Sequence, residues 1–222
     1  MHDWMVLGHY AGFRKSEWLQ DYADFKRKCD FTRNVDNTVK AFTMQDFEFR
    51  GKRNQRISNA HMHQVHDTSQ VRICWRFQKN GNNGEIISYV RNDADSEMCV
   101  VSAAQRIRER AQRLGVLPDE PIAVYGTQGQ RTFLNEIEIQ EEMRACAKQV
   151  YNITSKEDLA RYSSHSVRVG ACVALHATGA SVNDIQFRLR WSSDKFKNYL
   201  RHVVHIADTH NLYMNQMSLD NI

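Results

Sequence analysis

Apolar residues recur at two different periods along this chain, and the switch between them marks out its elements. Near the start, Trp4, Leu7, Tyr10 and Ala11 repeat at helical spacing, and Gly12 predicts the end of that helix. Phe13-Arg14-Lys15 then reads as a turn, with Ser16 as the cap of a second helix carrying Glu17, Trp18 and Leu19. Arg14 is therefore expected at a helix–helix corner, presented without belonging to the core face of either helix. Ala41 to Phe49 alternates with aromatics and predicts a strand. Gly51 to Asp67 is polar and predicts a loop. Val71 to Val90 predicts a hairpin. Val71, Ile73, Trp75 and Phe77 alternate with polar partners, residues 79–84 supply Asn-Gly turn chemistry, and residues 86–90 return. Lys79 falls at the tip end of the first strand.

The second half of the chain reads as helices. Ser96 to Leu114 is one, with Ser96 as cap and Gly115 as stop. Pro118 and Pro121 mark a loop before residues 122–125, and a long amphipathic helix is expected from Thr132. Its apolar side is Leu134, Ile137, Ile139, Met143, Ala147 and Val150. His165 and Arg168, three apart, share one helix face. Gly170, Ala171 and Ala174 would let that helix pack close to a neighbour, and Gly179 ends it. Ser181 and Asp184 have capping-box spacing for the next helix. Trp191-Ser192-Ser193 interrupts it, and from Asp194 onwards Phe196, Tyr199, Leu200 and Val203 share a face. Helix, strands, then helices predict an α+β fold, mostly helical with a small antiparallel sheet. No linker signal divides the chain, so residues 1–222 are expected to form one domain with a tail over 204–222.

At 41% hydrophobic and 25% charged residues, the composition is that of an ordinary globular protein. No apolar run reaches membrane-spanning length and no signal peptide opens the chain. The five cysteines are scattered without a C-x-x-C pair, which predicts reduced thiols and a cytoplasmic or nuclear setting rather than a secreted one. Histidines at 61, 63, 66, 202 and 205 match no zinc spacing, so neither a metal nor another cofactor is expected. The net charge of +4 is mild, but its distribution is uneven. Lys26, Arg27 and Lys28 open a basic segment that runs to Arg56, and Arg188, Arg190, Lys195 and Lys197 form another, whereas Glu136 to Glu142 gather acids. That split predicts one face turned toward a polyanion.

The order Arg14, hairpin Lys79, His165-x-x-Arg168, Arg190-Trp191 and then Tyr199 resembles the catalytic domain of tyrosine recombinases. The Arg-Trp-Ser-Ser-Asp run before the tyrosine resembles the branch found in eukaryotic mobile elements. The resemblance implies a site-specific recombinase or integrase whose N-terminal core-binding domain is absent or truncated in this chain. It also implies self-assembly as a dimer or tetramer on double-stranded DNA. Arg14 and Arg168 would clamp one scissile phosphate, since guanidinium forks match phosphate oxygens bidentately. Tyr199 would attack phosphorus to form a 3′-phosphotyrosyl link, with His165 taking its proton. Lys79 would protonate the departing 5′ oxygen. Trp191 would donate its indole N–H to a phosphate oxygen. Glu17 would orient Arg14 or His165, and the basic residues 26–28, 188, 190, 195 and 197 would contact DNA.

Three other readings stay open. Tyr199, taken alone, reads as a core tyrosine beside Phe196 and Leu200, with Tyr213 as the next candidate nucleophile. A type IB topoisomerase-like nicking-closing enzyme would use the same chemistry. A catalytically silent, domesticated DNA-binding domain would use the helix corner at 175–181 and the basic run after it.

Overall fold

The computed structural model describes residues 1–20, 38–57, 67–78 and 81–200. Its helices and two small antiparallel sheets make an α+β chain. Helix α1 (His2–Ala11) ends at Gly12, which takes the left-handed conformation (φ 55°) and returns its N–H to the Gly8 carbonyl at 2.7 Å. The short α2 (Lys15–Trp18) is capped by Arg14, not by Ser16 as expected. The Glu17 carboxylate reaches back to the Arg14 N–H at 2.9 Å, so the glutamate, not a serine hydroxyl, satisfies the helix start.

Strands β1 (Phe47–Gly51), β2 (Thr68–Trp75) and β3 (Glu85–Val90) form an antiparallel sheet in that order. The expected β2–β3 hairpin forms, pairing Val71 with Tyr89 and Ile73 with Ile87. The strand expected over 41–49 forms only from Phe47 onward. Met44–Asp46 is a 3₁₀ turn, because the buried Asp46 carboxylate accepts from the Thr43 N–H at 2.7 Å and from Arg76 Nε at 2.5 Å. Helix α3 (Val100–Arg113) follows Cys99 and begins later than the expected cap at Ser96, since Asp95 Oδ1 instead accepts the N–H groups of Glu97 and Met98 in a turn.

A second hairpin, β4 (Val124–Thr127) and β5 (Gln130–Phe133), occupies what the sequence presented as loop and helix start. Gly126 in β4 (φ 116°) and Gly129 in the turn (φ 84°) supply backbone geometry that other residues avoid. Helix α4 (Glu136–Tyr151) therefore starts after Asn135, whose side chain accepts from the N–H groups of Ile137 and Glu138. Helices α5 (Lys156–Ala160), α6 (Ser164–Ala177), α7 (Val182–Leu189) and α8 (Lys197–Leu200) complete the described chain.

Two hydrophobic clusters hold these elements. The larger joins α1, α2, the three-stranded sheet, α3 and the β4–β5 hairpin. Its centre is aromatic: Trp4 stacks on Trp18 at 5.3 Å, while Phe42 meets Phe13 at 5.2 Å and Trp75 at 5.7 Å. Asp3 ties α1 to α3 by accepting from Arg106 at 2.6 Å and Arg110 at 2.9 Å. Burial alone would raise the Asp3 pKa, but those two bonds bring it below the usual carboxylate value. The smaller cluster is Ala171, Cys172, Ile185, Leu189, Phe196 and Leu200. The close approach of α1 to α6 is made by Gly8, where an added Cβ would overlap the Val167 side chain. Gly170, expected to serve that purpose, instead faces open space. None of the described helices is long and apolar enough to cross a membrane.

Candidate functional site

The site is built on the corner between α1 and α2. There Arg14 leaves the helical path (φ −80°, ψ 146°) and directs its guanidinium across the end of α7. Arg14 Nη1 donates to Glu17 Oε1 at 3.1 Å, and Nη2 donates to the Arg190 carbonyl at 3.1 Å. About 20% of the Arg14 side chain stays exposed, so its charge is presented to solvent.

Glu17 is the hub. Its side chain is only 4% exposed, and its two oxygens accept from the Arg14 N–H, Arg14 Nη1, Arg190 Nη2 at 2.9 Å and Trp75 Nε1 at 3.3 Å. A buried carboxylate satisfied by this many donors is fixed in place.

Arg190 overturns one expectation. Its side chain has no exposure, so it does not contribute to a phosphate-gripping surface. It donates to the Ala11 carbonyl at 3.0 Å as well as to Glu17, and its guanidinium lies 3.9 Å over the Trp75 ring. Its backbone is left-handed (φ 57°, ψ 47°), a conformation that costs an ordinary residue about 1–2 kcal/mol. The strain is accepted where the chain must turn sharply out of α7 and aim this side chain inward. Arg190 thus holds Arg14 twice, through Glu17 and through its own carbonyl.

Helix α6 supplies the other half. Ser163 starts it, and the Ser163 N–H donates to Ser166 Oγ at 3.1 Å. Arg168, one turn in, is 2% exposed. It donates Nη1 to the Gly12 carbonyl and Nη2 to the Leu189 carbonyl at 2.6 Å, and lies 4.4 Å over the Trp191 ring. Burial pulls its pKa down to about 9, with repulsion from Arg14 and Arg190 adding to the effect. Two guanidinium groups, of Arg14 and Arg190, thus share the Glu17 carboxylate with Arg168 close by, and the excess positive charge favours an anion beside them.

His165, at the exposed start of α6, places Nε2 3.0 Å from Tyr199 Oη, a hydrogen-bond distance between residues 34 apart in sequence. Partial burial, and then the Arg168 charge, hold the His165 pKa below its ordinary value. The imidazole is therefore neutral at neutral pH and can accept a proton. The Tyr199 ring lies 5.8 Å from Trp191, and Trp191 lies 6.2 Å from the buried Phe196. The Trp191 Nε1 is buried without a partner. Arg14, Glu17, His165, Arg168, Trp191 and Tyr199 are thus linked by direct contacts or through the main chain.

Other expected residues lie apart from this group. Lys195 and Lys197 are exposed, with Lys197 Nζ 2.6 Å from Asp194. Arg188 is drawn onto the sheet, 4.0 Å over the Tyr89 ring and donating to the Ser88 carbonyl at 3.0 Å. Lys26, Arg27, Lys28, Lys79, Tyr213 and the tail lie outside the described residues. Sequence reasoning missed Trp75 as a partner of Glu17, and nothing in the alternation of β2 singled out its indole N–H. Comparison with known proteins finds no matching family model and no matching curated sequence.

Proposed function

We propose that this chain cuts and rejoins DNA strands through a 3′-phosphotyrosyl intermediate on Tyr199. The observation that carries the reading is the 3.0 Å contact between His165 Nε2 and Tyr199 Oη, set beside the Arg14–Arg168–Arg190 cluster. In this account His165 removes the phenolic proton as the Tyr199 oxygen bonds to phosphorus. The P–O bond to the 5′ oxygen breaks, and Lys79 gives that oxygen a proton. A 5′ hydroxyl then reverses the step on the same or another strand, so no high-energy cofactor is consumed. Arg14 meets the non-bridging oxygens from its exposed side. Arg168, under Trp191, adds a fixed positive charge at short range, where low dielectric makes it most effective.

The rival reading is a DNA binder without catalysis. It draws on Arg168, whose two Nη groups are both taken by main-chain carbonyls. A nicked duplex that loses its short 5′ fragment after cleavage separates the two. A covalent protein–DNA band on a denaturing gel is expected from the full chain. Bound DNA without such a band would support the silent binder. Lys79→Ala should slow band formation on ordinary DNA and recover when the 5′ bridging oxygen is replaced by sulfur, which leaves without protonation.

A further inference from the structure

The positive charge of the chain is concentrated on β1, β2 and the turn that follows β1. Residues 47–57 and 67–75 carry five cations, Arg50, Lys52, Arg53, Arg56 and Arg72, against two carboxylates, Glu48 and Asp67. That excess is most of the net charge of +4 on the whole chain. The turn is built to hold these side chains in place. The Gly51 N–H donates to the Gln55 carbonyl and the Asn54 N–H to the Gly51 carbonyl, both at 2.9 Å. The reversal sets Arg56 opposite Arg50 as its bridge partner, although like charges directly opposite weaken a pairing. Glu48 is shared among three arginines: Arg50 Nε donates to it at 2.5 Å, Arg72 Nη1 donates at 3.1 Å, and Arg56 Nε lies 3.8 Å away. One carboxylate cannot neutralise three guanidinium groups.

The uncompensated charge faces solvent. The Arg56 side chain is 75% exposed, and Lys52 and Arg53 are exposed on the turn. Residues 50–56 include no apolar side chain, so nothing there would enter a lipid surface. Four of the five cations are arginines, whose planar fork matches phosphate oxygens two at a time. Behind them Arg108 is buried, and its pKa is lowered by that burial and then by repulsion from Arg56. Arg108 adds to the field at this face without reaching a ligand. Strand β2 connects the face to the site. Trp75, which donates to Glu17 at 3.3 Å, lies three residues beyond Arg72 and seven beyond Thr68, the partner of Gly51. At about 3.3 Å per residue these separations are about 10 and 23 Å, inside one ~34 Å turn of duplex.

We propose that this face, through Lys52, Arg53 and Arg56 above all, grips the phosphate backbone of duplex DNA flanking the phosphate attacked by Tyr199. It holds the duplex without reading its sequence, because phosphate contacts fix position and carry no base information. The cations extend along several strand residues, which suits a row of phosphates better than one small ion. The choice of DNA rests on the strand-transfer reading, but the charge of the face does not require cleavage.

The test titrates the full chain into a fluorescent duplex at several salt concentrations, with anisotropy as the readout. Each lost phosphate contact should lower the slope of log affinity against log salt by about 0.9. Lys52→Gln combined with Arg53→Gln should therefore lower it by about 1.8, and Arg56→Gln by about 0.9. Lys52 and Arg53 are exposed on the turn, so the double variant should keep the circular dichroism of the parent. Lys148→Gln combined with Lys156→Gln, on α4 and α5, removes the same charge elsewhere and should lower the slope by less than half as much. An equal loss from that control would reduce the effect to net charge and overturn the proposal. So would unchanged slopes in both face variants, displacement of the duplex by inorganic phosphate at constant ionic strength, or an equal loss with polyglutamate in place of DNA. A face-dependent slope in a chain that forms no covalent adduct would sink strand transfer and leave the face intact. An adduct with unchanged slopes in the face variants would do the reverse.

Discussion

The corner that carries Arg14 and the segment that carries Tyr199 are held in opposite ways. Around the corner, every anchoring group is buried and multiply bonded: Gly12 under Arg168, Glu17 under four donors, Arg190 over Trp75. Tyr199 sits on a single short helix, α8, after a 3₁₀ turn. Phe196 and Leu200 anchor it to the smaller cluster, and its hydroxyl is steadied by His165 at an exposed helix start. The charged half of the site is therefore pre-organised by the larger core, while Tyr199 rests on a light attachment. Such a division suits a group that must form and release a covalent bond while the field around it stays fixed.

The contrast can be broken by substitutions at each end. Glu17→Ala should have the largest effect on stability, about 3–5 kcal/mol, because it leaves the Arg190 charge buried without its partner. Urea denaturation measures it, and a loss below about 1 kcal/mol would show that the hub is not holding the corner. Arg190→Ala should also destabilise, and Arg190→Gly should be more stable than Arg190→Ala by about 1 kcal/mol. Glycine removes the same ion pair but adopts the left-handed backbone without strain. At the lightly held end, Tyr199→Phe should cost less than about 1 kcal/mol, the net worth of one exposed hydrogen bond.

The smallest effect should appear in the pH dependence. His165 has a pKa below the ordinary histidine value of about 6.5. Adduct formation should therefore hold through neutral pH and fall only as the medium drops below that value, when the imidazole is protonated and can accept nothing. The sign for stability is the same. The unfolded histidine binds its proton more readily, so the contribution of His165 is present above about pH 6.5 and is lost as pH falls. An acid limb centred above 6.5 would place another group in the role.

Much of this was legible in the sequence where local chemistry decides structure. Gly12 and Gly179 mark helix ends, Ser181 and Asp184 close a cap, and the alternation from Val71 marks the β2–β3 hairpin. The i, i+3 spacing of His165 and Arg168 put both at the start of α6. What escaped depends on contacts between distant segments. Nothing in a basic run distinguishes Arg190, turned inward to Glu17, from Lys195, turned outward. The β4–β5 hairpin escaped because Gln130 to Phe133 carries too little alternation to overrule the helical pattern that follows. Arg14 as a helix cap escaped because its partner is a glutamate three residues on, while Ser16 offered a more familiar signal.

The central claim is that Tyr199 forms the covalent bond, and peptide mapping of a trapped adduct tests it most directly. After reaction with nicked duplex DNA and digestion of both polymers, mass spectrometry should find a 3′-linked nucleotide on the peptide containing Tyr199 in the parent chain. Tyr199→Phe should fold and bind DNA like the parent and carry no such mass. A nucleotide on any other residue, or an adduct that persists in Tyr199→Phe, would contradict the account.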